Sequence, residues 1–237
     1  MVKKYLASVV IVTFNAQNTL QTCLNSIYDQ ETNSIEIIVI DGASTDDTTS
    51  ILKENNSRIA FWKSEPDNGI YDAMNKALSY ISAEHVIFLG ADDCMLPDFS
   101  VMLTALNDKQ VIYYANVLYK GKPQSGHLRP YYQAKLGIFH QSIIYPASIF
   151  KKYKYNIKYK IAADYHLNMR LFKDPVYTFE YKNYIIVDYN DTGISAISKD
   201  KPFEHDKSKI ILYNFGFKIW ARYIFRLFKS RFKPGNK

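Results

Sequence analysis

The stretch His85-Val86-Ile87-Phe88-Leu89-Gly90-Ala91-Asp92-Asp93 is an apolar run that ends in two adjacent carboxylates. Such a run reads as a buried strand. Neighbouring side chains on a strand point to opposite faces, so Asp92 and Asp93 converge on one ligand only if the backbone turns there; Gly90 and Ala91 are small enough to allow it. Carboxylate oxygens at the carboxyl end of a strand suit a hard divalent cation, and such a cation suits a diphosphate. Taken alone, the pair also reads as a solvated turn ahead of the helix that Pro97 opens.

Working outward, three earlier segments have the same plan. Ala7-Ser8-Val9-Val10-Ile11-Val12-Thr13 is a β-branched run followed by the loop Phe14-Asn15-Ala16-Gln17-Asn18 and a helical pattern through Leu20, Leu24 and Ile27. Glu36-Ile37-Ile38-Val39-Ile40-Asp41 is followed by Gly42 to Thr48, rich in hydroxyl and carboxylate caps, and a helix through Ile51 and Leu52. Ile59 to Lys63 leads into the polar loop Ser64 to Gly69 and a helix whose Ile70, Met74, Ala77, Leu78 and Ile81 share one face. Four such alternations predict an α/β fold with a mostly parallel sheet covered by helices, and ligands gather beyond the carboxyl ends of its strands. No glycine-rich phosphate loop follows any of these strands, which argues against dinucleotide and P-loop enzymes.

Beyond Asp98 the alternation stops. Val111 to Tyr119 and Phe139 to Tyr145 read as strands, Gly121 to Gly126 as a turn, and Ile161 to Phe172 as a helix with Asp164 near its first turn. There a carboxylate serves as a dipole partner or as part of a site. His140 and Gln141 read either as ligand contacts or as satisfied groups at a strand end, His166 as structural, and Asp72 with Lys76 as a helical i, i+4 pair.

Of the 237 residues, 47% are hydrophobic, enough for a sizeable core. Cys23 and Cys94 lack metal-ligand spacing and predict free thiols in a reducing compartment. The start, Met1 to Tyr5, runs into a strand-like segment without a signal-peptide pattern, which predicts a cytoplasmic location. The net charge of +7 is uneven: Lys207 to Lys237 holds nine Lys or Arg and no acid, leaving 21 basic against 23 acidic residues over 1–206. A slightly acidic body argues against a nucleic-acid partner. Read as one helix, the tail gathers Lys218, Arg222, Arg226, Lys229 and Lys233 opposite Phe217, Trp220, Ile224, Leu227 and Phe228. That pattern suits a helix lying on an anionic membrane surface; the alternative is docking on the protein's own core or on a second subunit.

The ordered segments SVVIVTFNAQNTL, EIIVIDGASTDDT, SEPDNGIYDAMNKAL, FLGADD, FHQSIIYP and IAADYHLNMRL, over about residues 7–195, resemble the family-2 glycosyltransferases of GT-A fold, in their bacterial polysaccharide-assembly branch. The resemblance implies one catalytic domain over 1–206, with a nucleotide-sugar half near 1–98 and an acceptor half near 99–206, followed by the tail 207–237. It implies that Thr13, Asn15, Asp41 and Asp67 face the nucleoside and that Asp164 is the catalytic base. Because Ala91 precedes the acidic pair, it implies Asp93 as the ligand of a divalent metal, Mn2+ or Mg2+, with Asp92 on the ribose. Ala163 stands before Asp164 where many relatives have a second acid, so Asp164 is the only carboxylate there. Apart from the resemblance, His140 and Gln141 read either as contacts of the diphosphate or the acceptor or as satisfied structural groups. The implied reaction is a single, inverting transfer from a nucleotide-diphosphate sugar, UDP-linked in common relatives, to a lipid-diphosphate-linked saccharide at the inner face of the cytoplasmic membrane. The competing readings are a nucleotidyltransferase, against which the Thr13 to Asn18 loop lacks glycine and base, and a non-catalytic sugar-nucleotide-binding or membrane-scaffold protein.

Overall fold

The structure is a computed structural model that describes residues 5–124, 126–190 and 198–231. Met1 to Lys4, Ser125 of the predicted turn, residues 191–195 of the resemblance, and Lys233 with the rest of the tail beyond 231 lie outside the described residues. The first half alternates as expected: β1 (Ala7–Thr13), α1 (Leu20–Tyr28), β2 (Ile35–Asp41), α2 (Thr48–Glu54), β3 (Phe61–Ser64), α3 (Ile70–Ala77) and β4 (His85–Gly90). There follow β5 (Cys94–Met95), α4 (Asp98–Leu103), β6 (Val111–Tyr119), β7 (Lys122–Gln124), α5 (Pro130–Leu136), β8 (Ile143–Pro146), α6 (Ala163–Lys173), β9 (Thr178–Tyr189) and α7 (Lys201–Arg231).

The strands form one sheet in the order β3-β2-β1-β4-β8-β6-β9-β5, with β7 on the edge of β6. Strands β1 to β4 pair in parallel, and their register places Thr13 beside Asp41, Asp41 beside Ser64, and Val12 beside Gly90. The four carboxyl ends therefore open onto one edge. Because side chains alternate along a strand, Val9, Ile11, Ile87 and Leu89 meet α1, α2 and α4 on one face, while Val10, Ile38, Val86 and Phe88 meet α3, α6 and α7 on the other. At the amino ends, the buried Glu36 accepts from the Ser8 hydroxyl, the Ser82 hydroxyl (2.6 Å) and the N–H groups of Ser82 (2.7 Å) and Ala83 (3.0 Å). Those donors are what make burial of a carboxylate tolerable.

Three local expectations change, and one strand that the sequence reading left unassigned is added. The buried face of α3 is Tyr71, Ala73, Met74 and Ala77, while Ile70 is exposed, a rotation of about one residue. The strand expected over Phe139 to Tyr145 is shortened to Ile143–Pro146, because the Ser142 amide and hydroxyl both donate to the Phe139 carbonyl (3.0 and 2.8 Å) and curl His140–Ser142 into a 3-10 turn. Strand β9 is half-exposed with a mixed polar pattern that gives no clean alternation, and it becomes a strand by pairing with β6 and β5.

The third change concerns α7, which starts at Lys201 and breaks at Gly216 (φ 78°). This left-handed value suits glycine. The chain turns back sharply enough there for the Trp220 indole N–H to reach the Ser208 hydroxyl at 3.0 Å. Trp220 and Ile224, expected on a membrane-facing side, instead pack with Ile219 and Tyr223 on the body, whereas Phe217, Leu227 and Phe228 stay exposed.

At the end of α6, Asp174 accepts from Lys152 Nζ (2.7 Å), the Tyr153 hydroxyl (2.6 Å) and the Val176 N–H (3.1 Å). The Lys152 and Tyr153 donors hold its pKa at about 2. A lowered carboxylate pKa stabilises the fold above its unfolded value near pH 4, and the benefit is lost as pH falls through the folded value. Asp174→Asn is therefore expected to cost on the order of 1 kcal/mol at neutral pH. In urea unfolding at several pH values, the gap from the parent protein should close on acidification toward pH about 2.

Candidate active site

Three loops build one side of the cleft. Asn15 takes a left-handed backbone (φ 50°), for which asparagine is suited, and thereby joins the first two loops. Its N–H donates to Ser44 Oγ (2.7 Å) and its side-chain oxygen accepts from the Thr45 N–H (2.9 Å). Asp41 is fully buried and accepts from Ser44 N–H (3.0 Å), Ser44 Oγ (2.5 Å) and Ser64 Oγ (2.6 Å). Asn15 and Asp41, both expected at the nucleoside, are thus engaged in holding loops, while Thr13 and Asp67 are placed differently. The Thr13 hydroxyl is buried at the end of β1 with no hydrogen-bond partner among the described residues. Asp67 accepts from the Gly69 N–H (2.7 Å) and leans over Gly42, where an added Cβ would lie 2.7 Å from Asp67 Oδ2 and 3.5 Å from the Phe14 ring. Phe14, which the sequence reading passed over, leaves 63% of its surface exposed beside them.

The acidic pair turns back over Gly90. A Cβ at that position would lie 2.7 Å from Asp93 Oδ2 and 2.9 Å from Asp92 Oδ1, so only glycine lets both carboxylates fold in. The two residues are not equivalent. Asp93 is 1% exposed, its Oδ2 accepting from the Gly90 N–H (3.2 Å) and its Oδ1 from the Asn190 N–H (2.9 Å), whereas Asp92 is half-buried. Burial pushes the Asp93 carboxyl up to about 7, with the Asp92 charge adding to the rise and the Asn190, Gln141 and Gly90 donors opposing it. The expectation that Asp93 holds a metal while Asp92 takes the ribose thus meets an enclosed Asp93 and a more accessible Asp92. No cluster of three or more His, Cys, Asp or Glu suited to a metal exists among the described residues. Two close carboxylates fit a divalent cation that takes its remaining ligands from a bound diphosphate and water.

Across the cleft, Asp164 sits in the first turn of α6 and lines a cavity of about 510 Å³. Its Oδ1 accepts from the Tyr71 hydroxyl at 2.6 Å, and its Oδ2 lies 3.6 Å from His140 Nδ1. The wall around it is mostly apolar, with Ile70, Leu136, Ile138 and Phe139 among its members. Burial lowers the His140 pKa, opposed by the charges of Asp164 and Asp92. The charges of Asp164 and Asp92 both act on His140 and the Gln141 side chain acts on Asp93, so the His140–Ser142 turn lies between the acidic pair and the lone Asp164.

His140, Gln141 and Asp164 line the cavity together with Tyr71, while Thr13, Asp41, Asp92 and Asp93 gather at the carboxyl ends of β1, β2 and β4, with Asn15 and Asp67 in the adjoining loops. Tyr71 and Asn190 escaped the sequence reading. Tyr71 carried a signal, a hydroxyl next to the apolar face of an amphipathic helix; Asn190, a main-chain donor, carried none. The chemistry on offer is cation-assisted binding of a diphosphate at one wall and proton acceptance in an apolar cavity at the other.

The sequence profile described as Glycosyl transferase family 2 matches residues 8–178. A PGL/p-HBAD biosynthesis glycosyltransferase of Mycobacterium bovis is 29% identical over 212 residues, spanning 83% of this chain and 81% of that protein. Among solved structures, S. aureus TarS 1-349 in complex with UDP-GlcNAc is similar with a TM-score of 0.75 at 19% identity, over 94% of this chain and 73% of that one. The mannosyltransferase PcManGT of Pyrobaculum calidifontis, in complex with GDP-Man and Mn2+, has a TM-score of 0.65 at 17% identity, over 92% and 74% of the two chains.

Proposed function

The chain belongs to glycosyl transferase family 2 and has the GT-A fold, and from that premise we propose that it adds one sugar, with inversion, to a saccharide acceptor in surface polysaccharide assembly. The observation that carries this reading is Asp164, a carboxylate held by Tyr71 in an apolar cavity, with the His140–Ser142 turn between it and the Asp92 and Asp93 pair. The donor is a nucleotide-diphosphate sugar, UDP-linked in this reading; the two solved relatives hold UDP-GlcNAc and GDP-Man.

In the proposed complex the nucleoside lies along Thr13, Phe14 and Asp67. The ring face of Phe14 offers stacking, and the Thr13 hydroxyl, otherwise unsatisfied, offers a hydrogen bond. The diphosphate meets Asp92 at the turn after β4, with Asp93 behind it as an anchor. A bound Mn2+ or Mg2+ there would neutralise the charge that builds on the leaving diphosphate, and the PcManGT complex contains Mn2+. Asp164 Oδ2 takes the acceptor's proton as the hydroxyl oxygen bonds to the anomeric carbon and the carbon–phosphate-oxygen bond breaks on the opposite face. Tyr71 keeps Oδ1 turned away, and the apolar wall excludes the water that would compete with the acceptor. One base and no covalent intermediate imply inversion, by the logic of inverting glycosidases with a sugar hydroxyl in place of water.

Incubation with UDP- and GDP-sugars is expected to release nucleoside diphosphate at a rate that rises strongly with a saccharide acceptor. NMR of the product should show an anomeric configuration opposite to the donor's. A product with the donor's configuration overturns the single-base mechanism.

A further inference from the structure

Beyond Gly216 the last segment of α7 uses one side for the body, where Tyr223 is buried and Ile219, Trp220 and Ile224 pack against the core. Three phenylalanines are left on its outward side: Phe217 is 69% exposed, Phe225 65% and Phe228 62%. At 100° per residue they fall within an arc of about 80°. Lys218 and Lys229 follow within roughly the next 40° of the helix, and Arg226 lies beyond them. All three cations are exposed.

This segment packs beside α5: the Arg222 guanidinium lies 4.0 Å over the Tyr131 ring. On α5, Tyr132 and Leu136 are themselves 42% and 61% exposed, and Leu136 also lines the cavity that holds Asp164. Exposed apolar side chains thus occur on both packed helices and at the lip of the cavity. A run of large exposed apolar groups bordered by positive charge marks an interaction surface, not ordinary solvent-facing helix.

We propose that Phe217, Phe225 and Phe228, with Lys218, Arg226 and Lys229, seat the protein on an anionic lipid surface, with α5 bringing the mouth of the Asp164 cavity toward that surface. The charge pattern selects this occupant over a second copy of the chain. Beyond Gly216, residues 217–231 contain five basic groups and no acid, so apposing two such segments would bring like charges together without neutralisation, whereas anionic headgroups supply the counter-charge. The phenyl rings enter the interface beneath the headgroups. This deepens the glycosyltransferase reading by naming the acceptor's setting: a saccharide carried on a membrane lipid, with its hydroxyl delivered sideways into the cavity.

The test is sedimentation of the full chain with vesicles of phosphatidylcholine alone or mixed with phosphatidylglycerol. Binding is expected only to the anionic vesicles and should weaken as salt rises. The triple variant F217S/F225S/F228S should lose at least about tenfold in partitioning, and K218E/R226E/K229E roughly a hundredfold. Thermal unfolding and transfer to a water-soluble saccharide acceptor should be unchanged in both, since none of these six side chains lines the cleft. Absence of binding by the parent protein overturns the proposal, as does undiminished binding by either triple variant. A parent dimer that the phenylalanine variant dissociates also overturns it and assigns the face to self-association. Because binding is read without turnover, failure here is separate from failure of the proposed reaction.

Discussion

Asp164→Asn is expected to lower kcat by about 10³-fold, within the range that a positioned general base contributes, while donor affinity stays near that of the parent protein. Asparagine keeps the size of the side chain, and its oxygen can still accept from Tyr71, so the cavity should keep its shape. What is removed is the ability of Oδ2 to take a proton. Tyr71→Phe is the companion variant. It frees the carboxylate from its 2.6 Å hydrogen bond without deleting it, and about a tenfold fall in kcat with unchanged donor KM is expected of a residue that positions the base. Stopped-assay kinetics with saturating acceptor, together with calorimetric titration of the nucleoside diphosphate, separate the two effects. An Asp164→Asn protein that loses nucleotide affinity in proportion to rate would place Asp164 in the donor pocket instead.

The acidic pair offers the second large effect, because its two members stand in different surroundings. Asp92→Asn is expected to lower kcat/KM by about 10²-fold or more, with activity partly recovered at raised Mn2+ and little change in Tm, as befits loss of a charged group facing cation and diphosphate. Asp93→Asn should lose activity and stability together. Its carboxylate accepts from the Gly90 and Asn190 N–H groups, and an amide nitrogen in place of either oxygen sets donor against donor, at a cost of about 1–3 kcal/mol. Chelation of divalent ions should abolish turnover of the parent protein, and Mn2+ should restore it. The opposite pattern, an inactive Asp93→Asn with native Tm beside an active Asp92→Asn, would return the metal to Asp93.

Much of the site was legible in the chain because its parts are local. The acidic pair announces itself by closing an apolar strand, and Gly90 by being the one residue that allows both carboxylates to fold back, as the close approaches of 2.7 and 2.9 Å to a Cβ there make plain. The register of β1 to β4 then brings Thr13, Asp41 and Gly90 to one edge without further information. Tyr71 was missed by about one position on α3. The apolar residues around it define a face only to within a residue's rotation, and the face is settled by packing against β1 and β2. The tail was read as a single amphipathic helix because helical periodicity alone does not register the break at Gly216. Once the chain turns back there, Trp220 and Ile224 find the body, and a different set of aromatics is left outside.

The sequence by itself determined the alternating strands and helices, the parallel pairing of β1 to β4 and the edge onto which their carboxyl ends open, since runs of β-branched residues and helical periodicities are stable in few other arrangements. It did not determine which of two neighbouring carboxylates is buried. That was decided by the tertiary structure: the Asn190 N–H, 97 residues further along the chain, closes over Asp93, and Gln141 closes over it from the turn before β8. The solvation and hydrogen bonding of a carboxylate depend on whatever the fold brings against it, and those partners come from elements that have no fixed spacing in the sequence.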